Sequence, residues 1–185
     1  MKKLLSSFVI LSLLTSFNYS NDFYSLDIKN IDGKKIDMNS FKGRKILFII
    51  LPLNDNDSSA VIINELAAFK NKYRSKIEVI GIPAVEEGFK KGDEKNILQI
   101  YKVHRNLDII ITEGMKVKKT SGNNQSELFK WLTGKDQNHH FNQDVKGVGH
   151  KFFVDEKGNL YAVLSPAASL YASVIDKIVN KPSKK

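Results

Sequence analysis

The chain has 185 residues, of which 42% are hydrophobic and 26% charged, and it contains no cysteine. That length and apolar content describe one globular domain able to bury about two-thirds of its unfolded surface without covalent staples. The missing cysteine excludes disulfides, thiolate metal sites, cysteine lipidation and every reaction begun by a thiolate.

The formal net charge is +9, and the excess is lysine, since Arg44, Arg74 and Arg105 are the only arginines. Lysine is a hydrated point charge, poorer than arginine at bidentate phosphate recognition. The basic residues are dispersed rather than striped with aromatics, so nucleic acid is not the expected partner.

In chain order, Met1-Lys2-Lys3 and the apolar run Leu4 to Phe17 have the pattern of a secretory signal. The run is too short to span a bilayer comfortably. Residues 1–20 are therefore expected to be a signal peptide and 21–185 the mature domain, secreted or periplasmic. No cysteine follows the apolar run, so no lipid anchor and no stable membrane attachment are expected.

Phe23 to Lys29 alternates, Asp32-Gly33 marks a turn, and Lys35 to Met38 resumes extended structure, which predicts an N-terminal β-hairpin. Lys45 to Leu53 is a short continuous apolar run, the pattern of a strand buried on both faces under helices. Ala60 to Tyr73 has a helical period, with Asp57 or Ser58 as the expected cap. A second buried strand follows at Ile77 to Ile82, a helix at Lys95 to Val103, a short strand at Asp108 to Thr112, and a helix at Ser126 to Thr133. Lys151 to Val154 and Leu160 to Leu164 flank a turn as a hairpin, and Ala167 to Val179 closes the chain as a helix. The expected fold is a single α/β domain with a central mixed sheet flanked by helices.

Four segments in this order resemble the glutathione peroxidases, a family with the thioredoxin-like fold. They are FYSLDIKNIDGKKIDMNSFKGRKILFII from Phe23, NELAAFKNKYRSKIEVIGIPA from Asn64, SELFKWLTG from Ser126 and GHKFFVDEKGNLYAVLSP from Gly149. The first is similar to the family's hairpin and first central strand, and the second to its next helix and strand. The third resembles the P-L-Y-K-W-L segment. The fourth resembles W-N-F-x-K-F-L-V-D-x-x-G, the strand beyond it and the S-P after that strand.

The resemblance implies a cysteine or selenocysteine nucleophile after the first central strand, assisted by Gln, Trp and Asn. A helix N-terminus there lowers the thiol pKa. By the same resemblance, the nucleophile position falls within Asn56 to Ser58, at Asp57 or Ser58 by preference, the Gln position at Glu86, and the Trp-Asn pair at Gly147 and Val148. All four family residues are replaced, and Trp131 is expected in the core. The resemblance thus predicts the fold and argues against thiol peroxidase activity. What remains expected is a cysteine-free pseudoenzyme of the peroxidase family that binds a protein partner or a small ligand, with no cofactor.

Asp55, Asp57, Glu86 and Glu87 would share the former active-site edge, but Asn54 to Asp57 lacks the glycine and distal glutamate of an EF-hand loop. His140 and His150 could meet across a loop as a copper or zinc pair, which would support a metal-dependent alternative. Ser58-Ser59 and Ser165-Pro166 lack a nucleophile elbow.

Overall fold

The computed structural model describes residues 22–182, so the expected signal segment lies outside the described residues. Five strands form one sheet in the order β3-β2-β1-β4-β5. They are β1 (Lys45–Ile50), β2 (Ile77–Ile82), β3 (Ile110–Ile111), β4 (Lys151–Val154) and β5 (Leu160–Leu164). β1 runs parallel to β2, and β2 to β3, whereas β4 is antiparallel to both β1 and β5.

Every residue of β1 is buried. Because side chains alternate across a strand, Ile46, Phe48 and Ile50 enter one core and Leu47 and Ile49 the other. The first core is closed by the N-terminal segment (Phe23, Leu26, Met38) and by α3 (Glu127–Thr133), whose Trp131 packs against Phe23 at a ring separation of 4.9 Å. The second is closed by α1 (Asp57–Tyr73), α2 (Glu94–Leu98) and α5 (Ser173–Asn180), through Leu66, Phe69, Ile97 and Ile175. A short helix, α4 (Lys135–Asn138), follows α3. Truncating a large side chain in either core, such as Phe48→Ala, removes about 3–5 kcal/mol.

The expected elements differ from these at the N-terminus, after β2 and before α5, and two strands are shorter than expected: β1 stops at Ile50 rather than Leu53, and β3 keeps only Ile110–Ile111 of the run from Asp108 to Thr112. The N-terminal hairpin is reduced to a bridge between Lys29 and Lys35, around a turn that Asn30 Oδ1 organises by accepting the amides of Asp32 and Lys34. Phe23–Ser25 is a 3-10 turn, which buries both Phe23 and Tyr24 instead of alternating them. The helix after β2 passes into a π-helical segment, Gln99–His104. The closing helix begins at Ser173, because Glu65 holds the preceding loop through Ser169 Oγ and the Leu170 amide, both at 2.7 Å.

Lys45 ties the start of β1 to the end of α5. Its ammonium is buried and donates to the Val179 carbonyl at 2.9 Å and to the Lys181 carbonyl, and it lies 3.3 Å from Glu156 Oε1. A cation here satisfies carbonyls left open at a helix C-terminus and complements its dipole. We predict that Lys45→Met lowers stability by about 1–3 kcal/mol and raises hydrogen exchange in α5 before β1. Equal exchange in both elements would show that the ammonium does not hold the helix.

Candidate functional site

In an α/β sheet, ligands are held where loops leave the carboxyl ends of the parallel strands. Here three loops leave those ends, after β1, β2 and β3. A fourth segment enters beside them, because antiparallel β4 begins where β1 finishes. The Ile50 amide donates to the His150 carbonyl at 3.1 Å, and the Gly149 amide to the Ile50 carbonyl at 2.8 Å.

Three glycines show how closely these segments approach. A methyl group on Gly88 would stand 3.8 Å from Leu53 Cδ1, one on Gly147 3.7 Å from Glu87 Oε2, and one on Gly149 3.4 Å from Ile62 Cδ1 of α1. Gly147 (φ 123°) and Gly149 (φ 80°) also adopt backbone angles that disfavour a side chain. The late segment therefore lies against both the β2 loop and the first half of α1.

The β1–α1 loop presents oxygen and amide groups. The cap of α1 is Asn56, not Asp57 or Ser58. Asn56 is extended, and its Oδ1 accepts the Ser59 amide and the Ser58 hydroxyl, both at 3.0 Å. The helix thus begins one turn earlier than the apolar period indicates. Asp57 and Ser58 are exposed in its first turn. Beside them, Asp55 Oδ2 lies 3.9 Å from His104 Nδ1, and the other nitrogen of that ring is 3.2 Å from Gln99 Nε2.

The neighbouring glutamates have different tasks. Glu86 turns away from Gly147 and braces the loop after β3, accepting the Val117 and Lys118 amides near 3 Å and the Ser121 hydroxyl at 2.6 Å. Burial alone would raise its carboxyl, but the Ser121 hydroxyl and the two amides outweigh burial and hold it below the usual carboxylate range. Glu87 instead faces Gly147 and pairs with Lys118 Nζ at 2.9 Å. The resemblance selects Glu86 at this position, whereas the structure turns Glu87 towards Gly147, just before the turn that Gly88 makes at φ 105°.

His150 is buried, with its ring 4.7 Å from that of Phe152. Its Nδ1 accepts the Lys146 amide at 3.0 Å, which places the proton on Nε2, and Nε2 has no hydrogen-bond partner. Burial, reinforced by Lys146 and Lys151 against Asp144, pulls the imidazole down to about 4. The adjacent Lys151 is also buried, donates to the Gly149 carbonyl at 2.6 Å, and is pulled down by burial to about 8.

The expected His140–His150 metal pair does not form. His140 lines a cavity of about 370 Å³ together with Lys45, Phe141, Asp155 and Tyr161, at the end of the sheet where β1 begins. His150 stands where β1 finishes, roughly 16 Å along the strand at 3.3 Å per residue. The intervening chain folds back through α4 and the His139 turn, where Asn138 captures His140: its Oδ1 accepts the His140 amide and its carbonyl meets the ring Nδ1, both at 2.8 Å. Among the described residues, no three His, Asp or Glu side chains gather in a metal-binding group.

No family model matches the chain, and no curated protein matches it in sequence. Solved structures do match. Trgpx in its apo form superposes with a TM-score of 0.61 at 16% identity, covering 88% of this chain and 99% of its own. GPX1 of T. cruzi gives 0.62 at 18%, covering 85% and 94%. A thiol:disulfide interchange protein of the thioredoxin family from Chlorobium tepidum TLS gives 0.51 at 14%, covering 83% and 90%.

The Glu86 brace generates a pH prediction. An unfolded glutamate titrates near 4.3, and the folded value is lower. The stabilisation is therefore whole above about pH 4.3 and is lost as pH falls through the folded value. Glu86→Ala should cost about 1.5–3 kcal/mol at pH 7 and flatten the acid limb of the stability curve. An unchanged acid limb in urea unfolding would remove the brace. With its mixed five-stranded sheet, two helical layers and these neighbours, the chain has a cysteine-free thioredoxin-like fold of the glutathione-peroxidase kind.

Proposed function

We propose that the chain is an exported, glutathione-peroxidase-like protein that reduces no peroxide and works by binding a protein partner or a small ligand. The binding edge is the one where the loops after β1, β2 and β3 meet residues 146–149. The observation that carries this reading is the first turn of α1, where Asn56, Asp57 and Ser58 stand at the helix N-terminus of a chain with no cysteine. A helix N-terminus favours a thiolate, but an amide, a carboxylate and an unassisted hydroxyl there cannot be oxidised by peroxide and regenerated by a thiol.

The binding edge presents the Glu87–Lys118 pair beside Gly147, where no side chain intervenes. A polar ligand or a partner's loop can exchange with that ion pair, whose side chains are 19% and 32% exposed. Export rests on Met1-Lys2-Lys3 and the apolar run behind them. Among the described residues, no helix is long and apolar enough to cross a membrane.

Residues 21–185 should consume neither hydrogen peroxide nor an alkyl hydroperoxide above the buffer rate with glutathione or reduced thioredoxin as donor. Turnover would overturn the reading. The binding half is tested by thermal unfolding with calcium, zinc, copper, glutathione, haem and heparin. A ligand at about 100 times its Kd stabilises by about 2.7 kcal/mol. A shift lost in Glu87→Ala/Lys118→Ala supports this edge, whereas a metal shift that survives both substitutions favours the metal-dependent alternative.

A further inference from the structure

Besides the backbone bonds from the His150 amide to the Gly147 carbonyl and from the Gly149 amide to the Ile50 carbonyl, the segment from Lys146 to Gly149 is held at the start of β4 by two neighbouring side chains that are each buried and titratable. His150 Nδ1 accepts the Lys146 amide at 3.0 Å, and Lys151 Nζ donates to the Gly149 carbonyl at 2.6 Å. The segment carries glycines with positive φ at both 147 and 149, so two of its four residues adopt backbone angles that side chains disfavour. Its front end is tied down by Asp144, whose Oδ1 accepts the Lys119 and Val145 amides at 3.0 and 2.8 Å. Between these ties, Gly147 lies against Glu87.

The His150 bond works in one protonation state only. Nδ1 must be bare to accept the Lys146 N–H. A proton on Nδ1 turns the acceptor into a second donor facing a donor, so the bond must break. The charged ring would then sit buried, with Nε2–H already lacking a partner. The charged groups acting on the ring are Asp144 and Lys146 from its own segment and Lys151 beside it. Across Gly147 lies Glu87, already paired with Lys118. On α1, Ile62 packs against Gly149, and the nearest carboxylate to Lys151, Glu65, accepts from Ser169 and Leu170. The two cations outweigh Asp144, so no neighbour stabilises an imidazolium in place.

We propose that residues 146–149 are a proton-released latch over the binding edge, closed against Glu87 while His150 is neutral and opened when its imidazole takes a proton. Opening brings the ring into water, where it titrates near 6.5. The closed state refuses the proton until about pH 4. The closed state is thus fully favoured above about pH 6.5 and loses ground as pH falls towards 4, because only the open state gains a proton in that window. The latch adds regulation to the proposed binding edge and in that respect rests on the binding reading. Amide exchange reads the loop alone, so the two can fail separately.

The test is amide hydrogen exchange by NMR on residues 21–185, corrected for intrinsic rates, at pH 7 and pH 4.5. Protection of the Lys146 amide should fall tenfold or more in acid, while the Phe152 and Phe153 amides keep theirs. His150→Phe should leave Lys146 unprotected at both pH values. If that variant does not fold, carbon-13 shifts of the wild-type ring decide: Nε2–H tautomer at pH 7 and a proton gained well below pH 6. Constant protection at Lys146, loss shared equally with Phe152 and Phe153, or a His150 titration near 6.5 would each overturn the latch.

Discussion

The burial of β1 on both faces constrains everything else in the molecule. All six residues from Lys45 to Ile50 are buried, so neither face of the central strand can meet water and each must be roofed. The N-terminal segment and α3 roof one side, and α1, α2 and α5 roof the other. β2 and β4 pair with its two edges, so the strand is flanked by hydrogen-bonded neighbours on both sides. The strand can be reached only at its ends. At one lies the cavity around Lys45 and Tyr161, and at the other the loops converge around Glu87.

At the second end the helix N-terminus sets the electrostatics and the side chains decide what can be done with it. Partial positive charge at the start of α1 favours an anion or a thiolate, and the chain supplies Asn56, Asp57 and Ser58. Those groups stabilise the helix, with the cap contributing about 1 kcal/mol, but none can cycle through an oxidised state. The glutamates on the facing loop divide their work in the same spirit. Glu86 is consumed by the amides it braces, whereas Glu87 keeps a partly exposed ion pair with Lys118. The thioredoxin-like scaffold thus carries polar groups, and no thiol, at this edge.

Much of this was legible in the sequence. Ile77–Ile82, Lys151–Val154 and Leu160–Leu164 have the bounds that their mostly apolar runs indicate, because strands that pack a sheet against its core are rich in apolar residues. The fold class followed from the order of these runs, and Trp131 is a core residue as its helix implied. The departures come from contacts between residues distant in the chain. The loop before α5 stays unwound because Glu65, 104 positions away, binds Ser169, which no local pattern announces. Asn56 takes the cap because its backbone is extended one residue ahead of the helix, a distinction that a run of Asn, Asp and Ser conceals. His140 and His150 are ten positions apart and separated by the sheet's length, since Asn138 folds the first back on its own turn. Nor does the sequence show that His150 and Lys151 both hold one loop, because that depends on β4 starting where β1 ends.

The central claim is that the start of α1 is the scaffold's nucleophile position with the nucleophile gone. Substituting Asp57→Cys and titrating the thiol by its ultraviolet absorbance tests it. The expected pKa lies clearly below the free-cysteine value of about 8.5, from the partial charge of the helix end. A thiol at 8.5 or above would contradict the claim, showing that this turn does not stabilise an anion and that the peroxidase geometry does not extend to the edge proposed for binding.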